Sequence, residues 1–216
     1  MKKHFFLIAL LAATLHVSAQ EGSKVSGFIK PTIGFGYRFA AISDEVKQFP
    51  GLEDLAKKQR SGVVLGLEGG IYLGSDQKES LGILYQRFGS KASGPVSLPG
   101  IPGTFNFTSN ETISLAALVF SSRKTFGASG GTSAFFKAGA GYNHYKGVVS
   151  SVGTSQTETI SKGGLGYLLG ADLDFRLSKK VFFVTGLSFT SGSVKLEEEK
   201  ENLSMLIGNI GIRFSF

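Results

Sequence analysis

Strict two-residue alternation constrains this chain more than any other feature, and it is sharpest in GYLLGADLDFRLS, residues 166 to 178. Tyr167, Leu169, Ala171, Leu173, Phe175 and Leu177 share one parity; Leu168, Gly170, Asp172, Asp174 and Arg176 share the other. Successive side chains of a strand point to opposite faces, so this segment has one oily face and one charged face. A soluble sheet would turn the charges to water. A closed barrel in a bilayer would turn them into its bore.

The same period recurs to the end of the chain and predicts eight strands. The first, about 25–39, puts Val25, Ile29, Ile33, Phe35, Tyr37 and Phe39 opposite Lys30, Thr32, Gly34, Gly36 and Arg38. The second, about 62–74, puts Val63, Leu65, Leu67, Ile71 and Leu73 opposite Gly66, Glu68, Gly70 and Tyr72. The third, about 80–90, carries Leu81, Ile83 and Tyr85 on its apolar face. The fourth, about 107–121, is assigned Ile113, Leu115, Ala117 and Val119 as its apolar face, with a polar start that projects past the membrane. The fifth, about 133–145, sets Ala134, Phe136, Ala138, Ala140 and Tyr142 against Lys137, Gly139, Gly141 and Asn143. After the sixth (166–178), the seventh (181–190) puts Phe183, Thr185, Leu187 and Phe189 outward, although Phe182 and Val184 are also apolar. The eighth, about 204–216, puts Leu206, Ile210, Ile212, Phe214 and Phe216 opposite Asn209, Gly211 and Arg213.

An even number of antiparallel strands closes up-and-down with both chain ends on one side. The connections after strands two, four and six read as the short turns. Those after one, three, five and seven read as longer loops, among them the Pro- and Gly-rich ASGPVSLPGIPGTFNF (92–107), which would fold over the barrel mouth or touch a partner. Within the first of these loops, FPGLEDLAKKQR (49–60) has acids early and lysines late, as a short helix prefers. The run KLEEEKE (195–201) reads as a charged surface hairpin end.

Energy decides which face is outside. With the apolar parity outward, Lys30, Arg38, Glu68, Lys137, Asp172, Asp174, Arg176 and Arg213 enter the lumen, where acids and bases can pair. Reversed, they would meet lipid at about 2–4 kcal/mol for each Arg or Lys near the midplane, and a few such residues would cancel a domain's stability of about 5–15 kcal/mol. The rival is a secreted soluble barrel with its Leu, Phe and Tyr face inside. It leaves unexplained why Gly34, Gly36, Gly66, Gly70, Gly82, Gly139, Gly141, Gly164, Gly166, Gly170, Gly186 and Gly211 all share the charged face. Glycine weakens a strand, but in a narrow bore it leaves room for long side chains from neighbouring strands. Aromatic residues are expected at both rims: Tyr37, Phe39, Tyr85, Tyr142, Tyr167 and Phe189 at the outer, and Phe136, Phe175, Phe183, Phe214 and Phe216 at the periplasmic.

The start of the chain supports export. Lys2 and Lys3 precede the apolar run FFLIALLAATL and the small-residue site Val17-Ser18-Ala19, which reads as a signal peptide over 1–19 and a barrel domain over 20–216. That run is too short to span a bilayer as a helix, and no other stretch is long enough. With no Cys in the chain, disulfides, thiolate metal sites and attachment of lipid to a cysteine are all excluded. The formal charge of +7 falls to about +5 without the leader, and its scattered distribution argues against nucleic acid.

The signal peptide, the eight alternating segments and the terminal strand LIGNIGIRFSF together resemble the small outer-membrane β-barrel family of Gram-negative bacteria, the OmpA/OmpX-type and "porin family" barrels. The resemblance covers the whole mature chain. It implies an all-β, closed, antiparallel, up-and-down, eight-stranded transmembrane β-barrel in the cell outer membrane, surrounded by outer-membrane lipid and lipopolysaccharide. It also implies that Ile210, Ile212, Phe214 and Phe216 form the signal read by the barrel-assembly machinery.

Catalytic chemistry has little footing. His144 is the one histidine after the leader, whereas a zinc site wants several ligands and a Ser-His-Asp triad wants a placed carboxylate. Asp172 and Asp174 face the same way simply by period. The glycines of GGLGYLLG (163–170) fit no dinucleotide or Walker spacing. The expectation is a monomeric, non-enzymatic barrel without metal or cofactor, whose bore is just wide enough for its own side chains. Its function would reside in the external loops, as adhesion, capture of an unidentified surface ligand, or envelope stabilisation. A narrow ion or small-solute conduit and a lipid A-modifying enzyme are the alternatives.

Overall fold

Alternating segments that cannot bury one face alone pair edge to edge until no edge is left. The computed structural model describes residues 26–40, 42, 44–49, 51–74, 76–97, 103–126, 131–152, 157–196 and 199–216. The signal-peptide reading of 1–19, and the first residues of the barrel domain from 20, lie outside the described residues. The strands are β1 (Gly27–Arg38), β2 (Ser61–Leu73), β3 (Glu79–Ser97), β4 (Thr104–Phe126), β5 (Thr132–Val152), β6 (Thr157–Arg176), β7 (Val181–Leu196), β8 (Glu199–Asn202) and β9 (Met205–Ser215). Two helices, α1 (Asp44–Lys47) and α2 (Leu52–Gln59), lie between β1 and β2. Among the described residues no helix is long and apolar enough to cross a membrane.

Every pairing is antiparallel between chain neighbours, and β9 closes the ring against β1 (Ile33 opposite Ile210, Tyr37 opposite Leu206). The short β8 pairs with the end of β7 and with β9 forms the eighth stave. The final residue fastens the seam, because Gly27 and Phe216 exchange both backbone hydrogen bonds, at 2.9 and 3.0 Å.

Outside, the oily face is bare. Leu169 (62% exposed), Leu118 (62%) and Ile210 (51%) belong to a belt of exposed apolar residues that runs round the ring. From Tyr167 to Leu177 the chain rises about 25 Å at ordinary strand pitch and tilt, which matches the height of a lipid-facing band. No soluble monomer exposes an apolar surface of this extent; the belt requires hydrocarbon around it. The expected aromatic rims are exposed at its two edges, with Phe39 against Tyr37 at 5.6 Å and against Phe189 at 6.2 Å at one end, and Phe175 against Phe183 at 6.3 Å at the other.

Two sequence expectations fail here. Ile113, Leu115, Ala117 and Val119 of β4 point into the bore, at 1–4% exposure, while Leu118 and Phe120 face outward. Both faces of that strand are apolar, so its own pattern could not choose, and pairing with β3 (Leu84 opposite Ala117) sets the choice. The expected long loops after strands three and five are mostly strand. Residues 92–97 and 104–107 continue the β3–β4 ladder up to Ser97 opposite Thr104, so they form a wall rather than a lid. Pro95 is tolerated because β2 has already ended and β3 is an edge strand at that height. The residues 98–102 lie outside the described residues.

The wall formed by the outer parts of β3 to β6 rises past the aromatic rim, as the polar start of the fourth segment predicted. Helix α2 is covered by it: Leu55 packs on Ala92 and Val96, beside Leu52 and Phe107, and Gln59 donates to the Ser109 hydroxyl. The Lys57 ammonium, hydrogen-bonded to Glu53 at 2.8 Å, holds that exposed carboxyl below its usual range.

Candidate functional site

The bore is built in layers by residues of the inward parity. In the central layer Lys30 of β1 lies directly opposite Glu68 of β2, and its Nζ reaches Glu68 Oε2 at 2.6 Å. The same Nζ crosses to Asp172 Oδ2 of β6 at 2.5 Å. Lys137 of β5 approaches that oxygen at 3.0 Å and Glu68 Oε2 at 3.8 Å. Arg213 of β9 joins through Nη2 to Asp172 at 3.8 Å and through Nη1 to Asp174 at 3.2 Å. Three cations and three carboxylates therefore balance in a space where Lys30, Glu68, Asp172, Asp174 and Arg213 are each no more than 2% exposed.

Glycine makes this layer possible. A Cβ on Gly186 would collide with Asp172 Oδ1, and one on Gly170 would lie 3.2 Å from Lys137 Cε. The charged side chains thus occupy volume that glycine leaves empty.

Apolar layers close the bore on both sides. Toward the chain termini, the Arg213 guanidinium lies 3.7 Å from the Phe135 ring centre and 4.9 Å from that of Phe28, and Phe28 packs on Tyr72 at 5.3 Å. Above the ion pairs come Leu84, Leu115, Ala117, Val119 and Leu168. A second apolar cluster includes Val64, Phe88, Ile113, Ile207, Met205 and Leu203.

A separate polar cluster sits at the outer end. Arg38 donates from Nη1 to Glu111 and from Nη2 to Glu201, and also from Nη2 to the Asn202 carbonyl at 3.3 Å. The Tyr145 hydroxyl donates to Glu111 Oε1 at 3.0 Å.

Six of the eight expected lumen residues, Lys30, Glu68, Lys137, Asp172, Asp174 and Arg213, thus meet in one network. Arg38 is buried as expected but in the outer cluster. Arg176 is the exception: it keeps the inward parity yet is exposed, because β6 ends there and the bore opens. It lines a shallow cavity of about 110 Å³ with Asp174, Arg123, Lys179, Phe182 and Gln77, 5.9 Å over the Phe182 ring. The sequence reading missed Glu111, Glu201 and Tyr145. Glu111 shares the parity of Ile113 and Leu115, which the sequence reading had turned outward, and Glu201 stands inside a run of charges, so neither was placed in the bore.

Ile210, Ile212, Phe214 and Phe216 all face outward along β9, beside the seam. His144 also faces outward, exposed, with its Nε2 2.9 Å from Ser161 Oγ on the adjacent strand. No carboxylate hydrogen-bonds or ion-pairs with it among the described residues. Nor do these hold a group of three or more His, Asp or Glu able to bind a metal ion.

No protein-family model matches the chain, and no curated protein matches it. Solved structures do. The outer membrane protein OprG from Pseudomonas aeruginosa superposes with a TM-score of 0.50 at 16% identity, over 89% of this chain and 96% of that one. Neisserial surface protein A is similar at 0.47 and 14% identity, over 91% and 100% of the two chains. Ail, the attachment invasion locus protein of Yersinia pestis, is similar at 0.46 and 16% identity, over 88% and 99%. At these identities the likeness concerns the fold alone, and the superposition on OprG agrees with the closed ring described above. In fold, the chain is a closed, antiparallel, eight-stranded transmembrane β-barrel.

Proposed function

We propose that this barrel resides in the outer membrane as a monomeric, non-enzymatic and non-conducting envelope protein. Its outer wall presents the working surface, for adhesion, for a surface ligand or for stabilising the envelope. Lipid and lipopolysaccharide surround it, and the barrel-assembly machinery reads Ile210, Ile212, Phe214 and Phe216 during insertion.

The observation that carries this reading is the filled bore. A neutral ion-pair layer between apolar layers occupies the bore with side chains, which supports a barrel that does not conduct. What remains for interaction is the outside, and the strands that rise beyond the membrane belt supply it. Planar bilayers holding the purified full chain should stay electrically silent, and shortening the wall between 92 and 107 should change surface binding while the barrel survives. Discrete currents that disappear in Glu68→Gln or Asp172→Asn would instead favour a conduit.

The contact between His144 and Ser161 favours a second reading, a lipid A-modifying enzyme working from the outer wall. It lacks the carboxylate that a triad uses to orient its base. Lipid A of altered mass on expression, restored in His144→Ala, would select that reading.

A further inference from the structure

Above the aromatic rim the charges of the strands are sorted by face. On the outward face every charged residue among the described ones is basic: Arg87 and Lys91 of β3, Lys146 of β5, and Lys195 and Lys200 of the β7–β8 hairpin. The acids Glu111, Glu158 and Glu201 fall on the inward parity. At the opposite rim no such sorting holds, because Glu79 faces outward.

Three of those cations cluster. The register places Arg87, Ser114, His144 and Gly163 in one row across β3 to β6, one step above the row of Tyr85, Ala116, Tyr142 and Leu165. The next rows bring Gly89, Thr112, Lys146 and Ser161, then Lys91, Asn110, Val148 and Thr159. At ordinary strand spacing Arg87 and Lys146 stand about 12 Å apart, two strands over and one step up, and the three cations stand about 7 to 20 Å along the strands above the aromatic row, or about 5 to 15 Å in height at ordinary tilt. Ser114, Thr112, Asn110 and Ser161 supply hydroxyl and amide groups among them, beside Gly89 and His144. Arg87, Lys91 and Lys146 are exposed, and none pairs with a carboxylate among the described residues.

The tyrosines below mark the height of the membrane interface. Tyr85 directs its hydroxyl up to Ser114 Oγ at 3.5 Å. Tyr142 lies across Gly163, where any Cβ would strike its hydroxyl oxygen. Both rings therefore reach from the apolar belt toward the cationic rows, which stand at headgroup depth.

We infer that this outward face, centred on Arg87, Lys91 and Lys146 with Ser114, Thr112 and Ser161 as supporting donors, binds the phosphorylated headgroup of an anionic outer-leaflet lipid. Charge complementarity argues for this occupant: long cationic side chains spread over the width of a headgroup, hydroxyl donors lie among them, and among the described residues no strand acid shares that outward face above the rim, Glu158 being on the opposite parity. The acyl chains of such a lipid would lie on Leu165, Tyr142 and Ala116 below. The inference rests on the outer-membrane orientation proposed above, with the wall on the outer side.

The test uses the full mature chain inserted into phosphatidylcholine vesicles containing either bisphosphorylated lipid A or the same lipid with its phosphates removed. Retained lipid is counted by native mass spectrometry after extraction into mild detergent. Insertion is scored separately, by the heat-dependent gel shift in phosphatidylcholine alone, so loss of the barrel and loss of the site are distinguishable. Bisphosphorylated lipid A should be retained by the native chain and bound about a hundredfold more weakly by the R87Q/K91Q/K146Q variant, while K195Q/K200Q, on the other hairpin, stays near native. Equal retention of the dephosphorylated lipid, unchanged binding in the triple variant, or displacement of the lipid by millimolar inorganic phosphate would overturn the inference.

Discussion

Replacing Asp172 by Asn removes one negative charge from the bore with almost no change of shape. The substitution is a clean one because Gly186 leaves room for the side chain at that position and an amide fills the same volume. Asp172 Oδ2 receives Lys30 at 2.5 Å and Lys137 at 3.0 Å, with Arg213 at 3.8 Å. At an effective dielectric of about 20, a single pair at 3.0 Å has a gross attraction of about 5 kcal/mol, which desolvation largely offsets in the intact network. Asp172→Asn keeps the desolvation of the three cations and loses the attraction. Removing one partner of a buried pair typically costs about 3–5 kcal/mol, a large part of a domain's total stability. Adding Lys137→Gln restores neutrality, with two cations facing two carboxylates. The double variant should therefore be more stable than the sum of the two single changes by at least about 1 kcal/mol. Urea unfolding of the vesicle-inserted protein, followed by the heat-dependent gel shift or by tyrosine fluorescence, should move the Asp172→Asn midpoint down by about 1 M or more. If Asp172→Asn unfolds within about 0.5 kcal/mol of the native chain, or the two changes simply add, the bore is hydrated and the network is not what holds it closed.

Two further perturbations probe the belt and the seam. Leu118→Arg puts a guanidinium on the lipid face of β4 and should cost about 2–4 kcal/mol in vesicles; spin labels should report hydrocarbon at Leu118 and tight packing at Val119, and the reverse result would restore the sequence-based parity. On the proposed reading of the terminal strand as an assembly signal, deleting Phe216 should slow insertion in cells yet leave refolding in detergent within a few-fold of native; equal loss in both settings would make the residue a fastener of the seam and nothing more.

The number of staves, the closed ring and the parity of seven of them were legible: in five segments Lys30, Arg38, Glu68, Lys137, Asp172 and Arg213 mark a face that bilayer physics forbids on the outside, while the third and seventh, with no charge on the inward face, were read from apolar alternation alone. Lys30, Glu68 and Asp172 could be placed in the bore without knowing which of them touch. Their pairing could not be read, since partners 142 residues apart meet only after closure. β4 defeated the reading for a different reason. With Leu118 and Phe120 on one face and Leu115 and Val119 on the other, its period carries no preference, and hydrogen bonding to β3 decides. The wall between 92 and 107 was hidden by Pro95, Pro99 and Pro102, which suggest a loop until one sees that Pro95 sits on a free edge. Arg176 misled through its parity, which is right, and its height, which lies past the end of the bore.

The two sets of charges answer to different constraints, and the difference says where function is to be sought. Inside, burial penalises any net charge, so three cations face three carboxylates, and the arrangement follows from stability alone. The outward face above the belt is exposed, and nothing in folding requires it to be neutral or one-signed, because exposed charges there gain or lose little by pairing. Yet acids of the same wall, Glu111 and Glu201, are turned inward to Arg38, and among the described residues only bases remain on the outward face of the strands there. A pattern that stability does not demand is best explained by what surrounds the barrel at that height. Anionic headgroups would repel an outward acid and hold an outward base, which gives the sorting a physical cause independent of the fold.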